Sequence, residues 1–251
     1  MTEIKGKWAL VTGASRGIGR LAAECLAKYG CNLVLQSRNL AHTEELANEL
    51  SEKYGIETYS VAAELAKPEE VTRLINEIEA KGTQIDIILN NAGVQVAYRT
   101  DYYTTPVEDY TTSFQINTIA PMMICYHFIP KMIERGFGRV VNTTSGIALE
   151  PEQAGYSASK AALDKVTIDI GSKLEGSDVM ISLADPGWCR TDLGGPNAPN
   201  SPESAIPGVV VGVFVNDKKS GRLFRAGDFT GMSVEDAAEK AMTEVDSPYA
   251  K

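Results

Sequence analysis

Trp8-Ala-Leu-Val-Thr-Gly-Ala-Ser-Arg-Gly-Ile-Gly19 runs a short apolar segment into a turn with three glycines and then into an amphipathic stretch. Trp8–Val11 reads as a buried strand, and the periodicity from 17 to 29 reads as a helix. Glycines 13, 17 and 19 allow a tight turn and let backbone N–H groups approach an anion at the helix N-terminus, where the helix dipole favours negative charge. Ser15 and Ile18 complete the turn. The four-then-two spacing differs from the usual G-x-G-x-x-G, and three glycines in seven residues also suit a plain strand-to-helix turn. The position, after the first strand and before the first helix, makes it a candidate pyrophosphate cradle.

Outward from this unit the same alternation repeats. Leu33–Leu35, Thr58–Val61, Ile85–Leu89, Val140–Asn142 and Val179–Leu183 read as strands, with helical patterns near 41–54, 68–81, 106–135 and 155–175. Apolar strands each followed by a helix need crossover connections, hence a parallel sheet with helices on both faces. The fold class is α/β: one Rossmann-like, doubly wound parallel sheet of about seven strands. No linker divides the chain before Pro186, so residues 1–251 form a single domain with an acidic extension at about 228–251. Beyond Pro186 the signals are mixed. Val209–Val215 suits a strand by side-chain preference, yet Ser201, Pro202 and Glu203 make a good helix start, and helix is the preferred reading. Arg222–Arg225 reads as a last strand, and Ser233-Val-Glu-Asp236 as a capping box opening a short helix.

Composition removes several classes of function. Thirty-three acids against 24 bases leave a formal charge of −9, which repels nucleic-acid phosphates and anionic lipid. Cys25, Cys31, Cys125 and Cys189 show no metal-ligand spacing and read as reduced thiols. Met1-Thr-Glu-Ile-Lys5 lacks the basic start of a signal peptide, and Thr111–Pro130, though uncharged, carries too many polar groups to span a bilayer. A cytoplasmic chain with no nucleic-acid, membrane or metal partner is expected.

The second strand ends in Gln36-Ser37-Arg38, where this topology commonly carries an acid that binds the adenosine ribose hydroxyls. Arg38 can fork onto a phosphate, Ser37 can donate to it, and Arg16 adds a second cation nearby. Two arginines without a carboxylate point to NADP(H) rather than NAD(H); the alternative is that both are solvated surface residues.

Tyr156-Ser-Ala-Ser-Lys160 places a phenol and an ammonium one helical turn apart, on one face. A free phenol is a poor acid or base at neutral pH, and a neighbouring cation favours its ionised form. None of the other nine tyrosines has a lysine at that offset. Ser145, in Asn142-Thr-Thr-Ser-Gly146, ends strand five, and Asn90-Asn91-Ala92-Gly93 closes strand four at the same sheet edge. The latter run suits either a polar turn or the flank of a cofactor.

Together these landmarks, with Asn117 in Phe-Gln-Ile-Asn and Asp185-Pro-Gly-Trp-Cys-Arg-Thr191, resemble the short-chain dehydrogenase/reductase superfamily to about residue 226. The resemblance implies that Tyr156 protonates a carbonyl oxygen and that Lys160 holds the nicotinamide ribose and depresses the phenol's pKa. Ser145 would hydrogen-bond the reacting oxygen, and Asn117 would hold a water that links Lys160 to solvent. Pro186, Gly187, Cys189 and Thr191 would border the nicotinamide. Glu64 and Leu65 would lie by the adenine, and Asn91, Ala92 and Gly93 would flank the cofactor. Glu64 stands where relatives usually carry aspartate, so its contact must be longer or lost. Cys189 replaces a branched aliphatic and reads as filler.

The Trp188–Pro202 region resembles carbonyl-reductase-like members, and its short cover implies an open pocket for a small or medium ketone or aldehyde. Val94, Val96, Ile147, Gln153 and Trp188 line that pocket, with Ser145 at its floor. Tyr98, Tyr102, Tyr103 and Tyr110 crowd the segment after strand four and read mainly as buried helix–loop contacts. A 3-oxoacyl-thioester reductase, a hydroxysteroid-type dehydrogenase and a non-catalytic NADP-binding regulator are the alternatives. Relatives imply a homo-oligomer, dimer or tetramer, with a monomer, as in some carbonyl reductases, the alternative.

Overall fold

The computed structural model describes residues 1–249. Seven parallel strands lie in the order β3-β2-β1-β4-β5-β6-β7, with β1 Trp8–Val11, β2 Asn32–Ser37, β3 Thr58–Ala62, β4 Ile85–Asn90, β5 Gly138–Thr143, β6 Val179–Asp185 and β7 Arg222–Arg225. The chain winds outward from β1 in one direction through β3, then returns past β1 to build β4 to β7. That reversal opens a crevice between the C-terminal ends of β1 and β4, where open α/β sheets bind ligands.

Successive side chains along each strand feed opposite layers. Ala9, Val11, Leu33 and Leu35 pack with α1 Gly17–Lys28, α2 Glu44–Tyr54, α7 Ile206–Phe214 and α8 Val234–Glu244. Leu10, Val34, Ile88 and Ile181 pack with α3 Pro68–Ala80, α5 Ala120–Arg135 and α6 Ala154–Leu174. The stretch expected as one helix over 106–135 is α4 Val107–Phe114, a π turn over Gln115–Ile119, and α5.

The valine run is helical, as preferred. Pro207 stands in its first turn, and Ser201 Oγ accepts from the Ser204 amide at 3.3 Å in the 3-10 turn that leads into it. Burial between the sheet and α8 overrides the β preference of four valines. A Cβ on Gly212 would stand 2.3 Å from Ser182 Oγ, so only glycine permits this close approach of helix to strand.

The acidic segment after Asp228 is no appendage. Ser233 Oγ caps α8 by accepting from the Asp236 amide at 3.1 Å, and Ala237, Ala238 and Ala241 are fully buried. Arg222, itself buried in β7, donates to both carboxylate oxygens of Asp217 at 2.8 Å and to the carbonyls of Ala241 and Val245. The end of α8 is thus bolted to the sheet. No helix among the described residues is long and apolar enough to cross a membrane.

Candidate active site

The glycine turn is built to leave room. Gly13 sits at φ +65°, and a Cβ on Gly19 would stand 2.2 Å from the Gly13 carbonyl oxygen and 2.5 Å from Asn91 Nδ2. Buried Gln36 holds the turn: its Oε1 accepts from the Gly13 amide at 3.1 Å, its own carbonyl from the Ala14 amide at 2.9 Å, and its Nε2 donates to Ala63. Thr12 Oγ1 accepts from the amides of Asn91 and Ala92 at 3.0 and 3.1 Å, which fixes the exit of β4 beside the turn. No side chain caps the N-terminus of α1. A side-chain-free cradle facing uncapped helix amides fits a diphosphate. Ser15 and Ile18 lie half-buried on its wall.

Three expected phosphate contacts sort differently. Arg38 is exposed at the end of β2. Ser37, by contrast, is buried and its hydroxyl donates to the Asn39 carbonyl at 2.6 Å, so it does not project a donor outward. Arg16 pairs with Asp192 at 2.7 Å, and both side chains are about two-thirds exposed. That pair joins the glycine turn to the loop after β6, where Thr191 also approaches Gly17. Glu64 Oε1 accepts from the Ala66 amide at 3.2 Å, folded back onto its own loop, while Leu65 is buried.

Tyr156 and Lys160 emerge from the first turns of α6, 8% and 4% exposed. Lys160 Nζ lies 5.9 Å from the Tyr156 ring centre and donates to the Thr143 carbonyl at 2.7 Å. Burial pushes the ammonium down to about 8, partly offset by the carboxylates of Asp164 and Asp185. The phenol is raised by burial, opposed by the Ser145 hydroxyl and reinforced by Asp185. This direction is opposite to the expected depression: desolvation is the largest influence on the phenol. Ser145 leaves β5 on the same edge, its Oγ accepting from the Ile147 amide at 3.2 Å.

Asn117 sits in the π turn and is buried. Its Oδ1 accepts from the Val94 amide, and its Nδ2 donates to the Val94 carbonyl, each at 2.9 Å; Nδ2 also donates to Ser159 Oγ. The side chain clamps the segment after Gly93. At the end of β6, Asp185 Oδ1 accepts from the Gly187 amide at 2.9 Å, and Cys189, buried, donates to the Pro186 carbonyl.

Around the mouth, Gln153 is buried and donates to the Val96 carbonyl at 3.1 Å, whereas Val94, Val96 and Ile147 are half-buried. Trp188 is 59% exposed and donates to the Gly194 carbonyl. The tyrosines are not buried contacts: Tyr98 and Tyr103 are 59% and 85% exposed, and Tyr102 and Tyr110 are also exposed. Leu149 is wholly exposed at φ +62°. Sequence reasoning passed over Thr12, Gln36, Asp164 and Asp185 as supports. Asp185 was visible as the residue before Pro186-Gly187, but its approach to α6 is a tertiary fact.

The family model described as short chain dehydrogenase matches residues 7–201. The chain is 30% identical over 193 residues to 3-oxoacyl-(acyl-carrier-protein) reductase of Aquifex aeolicus, covering 76% of this chain and 77% of that protein. It is 31% identical over 195 residues to inactive hydroxysteroid dehydrogenase-like protein 1 of Homo sapiens, covering 76% of this chain but 58% of the relative. Among solved structures, L-sorbose reductase from Gluconobacter frateurii complexed with NADPH and L-sorbose superposes with a TM-score of 0.70 at 28% identity, over 76% of this chain and 73% of that one.

Proposed function

The chain belongs to the short-chain dehydrogenase family, and on that footing we propose that it reduces a ketone or aldehyde to an alcohol with NADPH. The observation that carries this reading is the meeting of Ser145, Tyr156 and Lys160 at the sheet edge that also bears the glycine cradle. NADPH, when bound, supplies the hydride. The turn at 13–19 would hold its diphosphate, Arg38 its 2′-phosphate, and Lys160, with the segments 91–93 and 186–191, its nicotinamide end.

Tyr156 is the proton donor. A phenol held protonated by burial suits reduction, in which the carbonyl carbon gains hydride and the oxygen takes the Tyr156 proton. Ser145 donates a hydrogen bond to that oxygen as charge builds on it. With the Asn117 side chain committed to Val94 and Ser159, any water that returns a proton through Lys160 is held by backbone groups.

The similarity to a 3-oxoacyl reductase favours a second reading, reduction of an acyl thioester. Glu150 and Glu152, which stand close enough to Tyr98 to disfavour its ionised form, weigh against it, because acyl carriers bring phosphate and carboxylate charge with them. The intact Asn117, Ser145, Tyr156 and Lys160 set weighs against a non-catalytic regulator. Following NADPH absorbance with neutral ketones and with a 3-oxoacyl thioester separates the readings: turnover of neutral ketones supports the first, and turnover of the thioester alone the second. No turnover with tight NADPH binding would favour the regulator.

A further inference from the structure

We propose that Asp164 and Asp185 are positioning residues, a carboxylate pair that grips the β5 exit on either side of Ser145 and stands over Lys160. The proposal rests on the reductase reading above for its kinetic test, but its geometry is independent of it.

The two acids reach the same turn from different elements. Asp164 lies one helical turn beyond Lys160 on α6, and its Oδ1 accepts from Thr144 Oγ1. Asp185 is the last residue of β6, with the side-chain parity of Ile181, which packs in the same layer as Leu163 of α6. Its Oδ1 is pinned by the Gly187 amide at 2.9 Å, and its Oδ2 stands 2.7 Å from where a Cβ on Gly146 would sit. Thr144 and Gly146 are the two neighbours of Ser145. One carboxylate holds the first, and the other packs against the second. The Thr144 amide adds a bond to the Ala184 carbonyl at 2.8 Å, so the exit is fixed to β6 as well.

The same pair sets the charges of the proton-handling groups. Lys160 faces Tyr156 and Asp164 on its own helix and Asp185 from β6; β5 offers it the Thr143 carbonyl, and the π turn only the neutral Asn117. Burial lowers the pKa of the ammonium, and both carboxylates oppose that. Asp185 also disfavours the Tyr156 phenolate. Asp164 is itself raised by burial and by Asp185, while the Thr144 hydroxyl and Lys160 favour its ionised form. A proton on Tyr156 and a charge on Lys160 is the state that reduction requires, and the carboxylates favour both.

Three variants separate the charge from the grip. Asp185→Asn removes negative charge beside Tyr156, so phenolate absorbance, read as the difference from a Tyr156→Phe background, should appear about one pH unit lower. This readout needs no turnover, so it stands even if the carbonyl-reductase reading fails. Asp164→Asn should move the alkaline limb of kcat/KM for ketone reduction to lower pH by a similar amount, because Lys160 then loses its proton sooner. Thr144→Val, which removes the hydroxyl that Asp164 grips but neither carboxylate, should lower kcat about tenfold or more through Ser145 while moving that limb less than Asp164→Asn does. An unmoved phenolate midpoint in Asp185→Asn, or wild-type kcat in Thr144→Val, overturns the proposal. So does an unmoved limb in Asp164→Asn, and if that variant fails to fold the other two still decide.

Discussion

Lys160 Nζ donates to the Thr143 carbonyl oxygen at 2.7 Å, and so ties the catalytic face of α6 to the end of β5. It directs a fully buried ammonium at the strand exit that bears Ser145. Keeping that group charged in the folded state is unfavourable, and burial lowers its pKa from 10.5 to about 8.

The pH dependence follows with a definite sign. As pH rises through about 8, Lys160 deprotonates in the folded protein. Reduction should therefore decline on the alkaline side from about 8, well below the range of a free lysine. Stability responds in the opposite sense. Between about 8 and 10.5 the unfolded chain binds the proton that the folded chain has lost, so this group makes the fold more stable as pH rises there. Below that window it costs about 3 kcal/mol. A pH profile of kcat/KM beside urea unfolding at pH 7 and 10, with Lys160→Met as reference, checks both halves. An alkaline limb above pH 10 would contradict the first.

Arg38 should decide the choice of dinucleotide. Ser37 is committed to Asn39, and Arg16 to Asp192, which leaves Arg38 as the exposed cation at the end of β2. Arg38→Ala should weaken NADPH binding about 10- to 100-fold, as expected for a lost charge-assisted contact of roughly 1.5–3 kcal/mol, and leave NADH binding unchanged. Arg38→Asp should reverse the preference. Titrating each variant with both dinucleotides by fluorescence is the check, and equal losses for both would place the 2′-phosphate elsewhere.

Gly19→Ala should damage fold and cofactor binding together. The new methyl would meet backbone oxygen and the Asn91 amide at distances no side-chain adjustment relieves. An overpacking cost of about 1–3 kcal/mol implies a Tm lower by roughly 3–10 °C. Differential scanning calorimetry with and without NADPH should show that fall and a lost ligand-induced rise.

The segment after Asp228 should prove essential to the fold. A chain ending at Gly227 exposes the apolar face of α7 and strips Arg222 of two carbonyl partners, so it should fail to yield soluble, cooperatively unfolding protein. Arg222→Met in the full chain should cost about 3 kcal/mol, the usual scale for breaking a buried pair, seen as a lower urea midpoint.

Local signals carried most of the architecture. Strand-length apolar runs, the glycine turn and the Ser233 cap each declare themselves within a few residues, and each stands where the pattern put it. Side-chain partners were less legible. The Ser37 hydroxyl turns back to the Asn39 carbonyl two residues on, and nothing near Arg16 announces that Asp192 meets it. The tyrosines at 98–110 looked like packing because aromatic residues usually are, yet they stand exposed. The phenol's direction was misjudged because i, i+4 spacing reveals the cation but not the burial. Asp164 belongs to no local motif, and only the sheet brings it to Thr144.

The most direct test is Tyr156→Phe, which deletes one oxygen and keeps the ring. With NADPH and a reducible ketone, the account predicts a loss of turnover of about 100- to 10,000-fold, the usual scale for removing a general acid, with NADPH affinity within a few-fold of wild type. A variant that binds NADPH and reduces the ketone at the wild-type rate would contradict it.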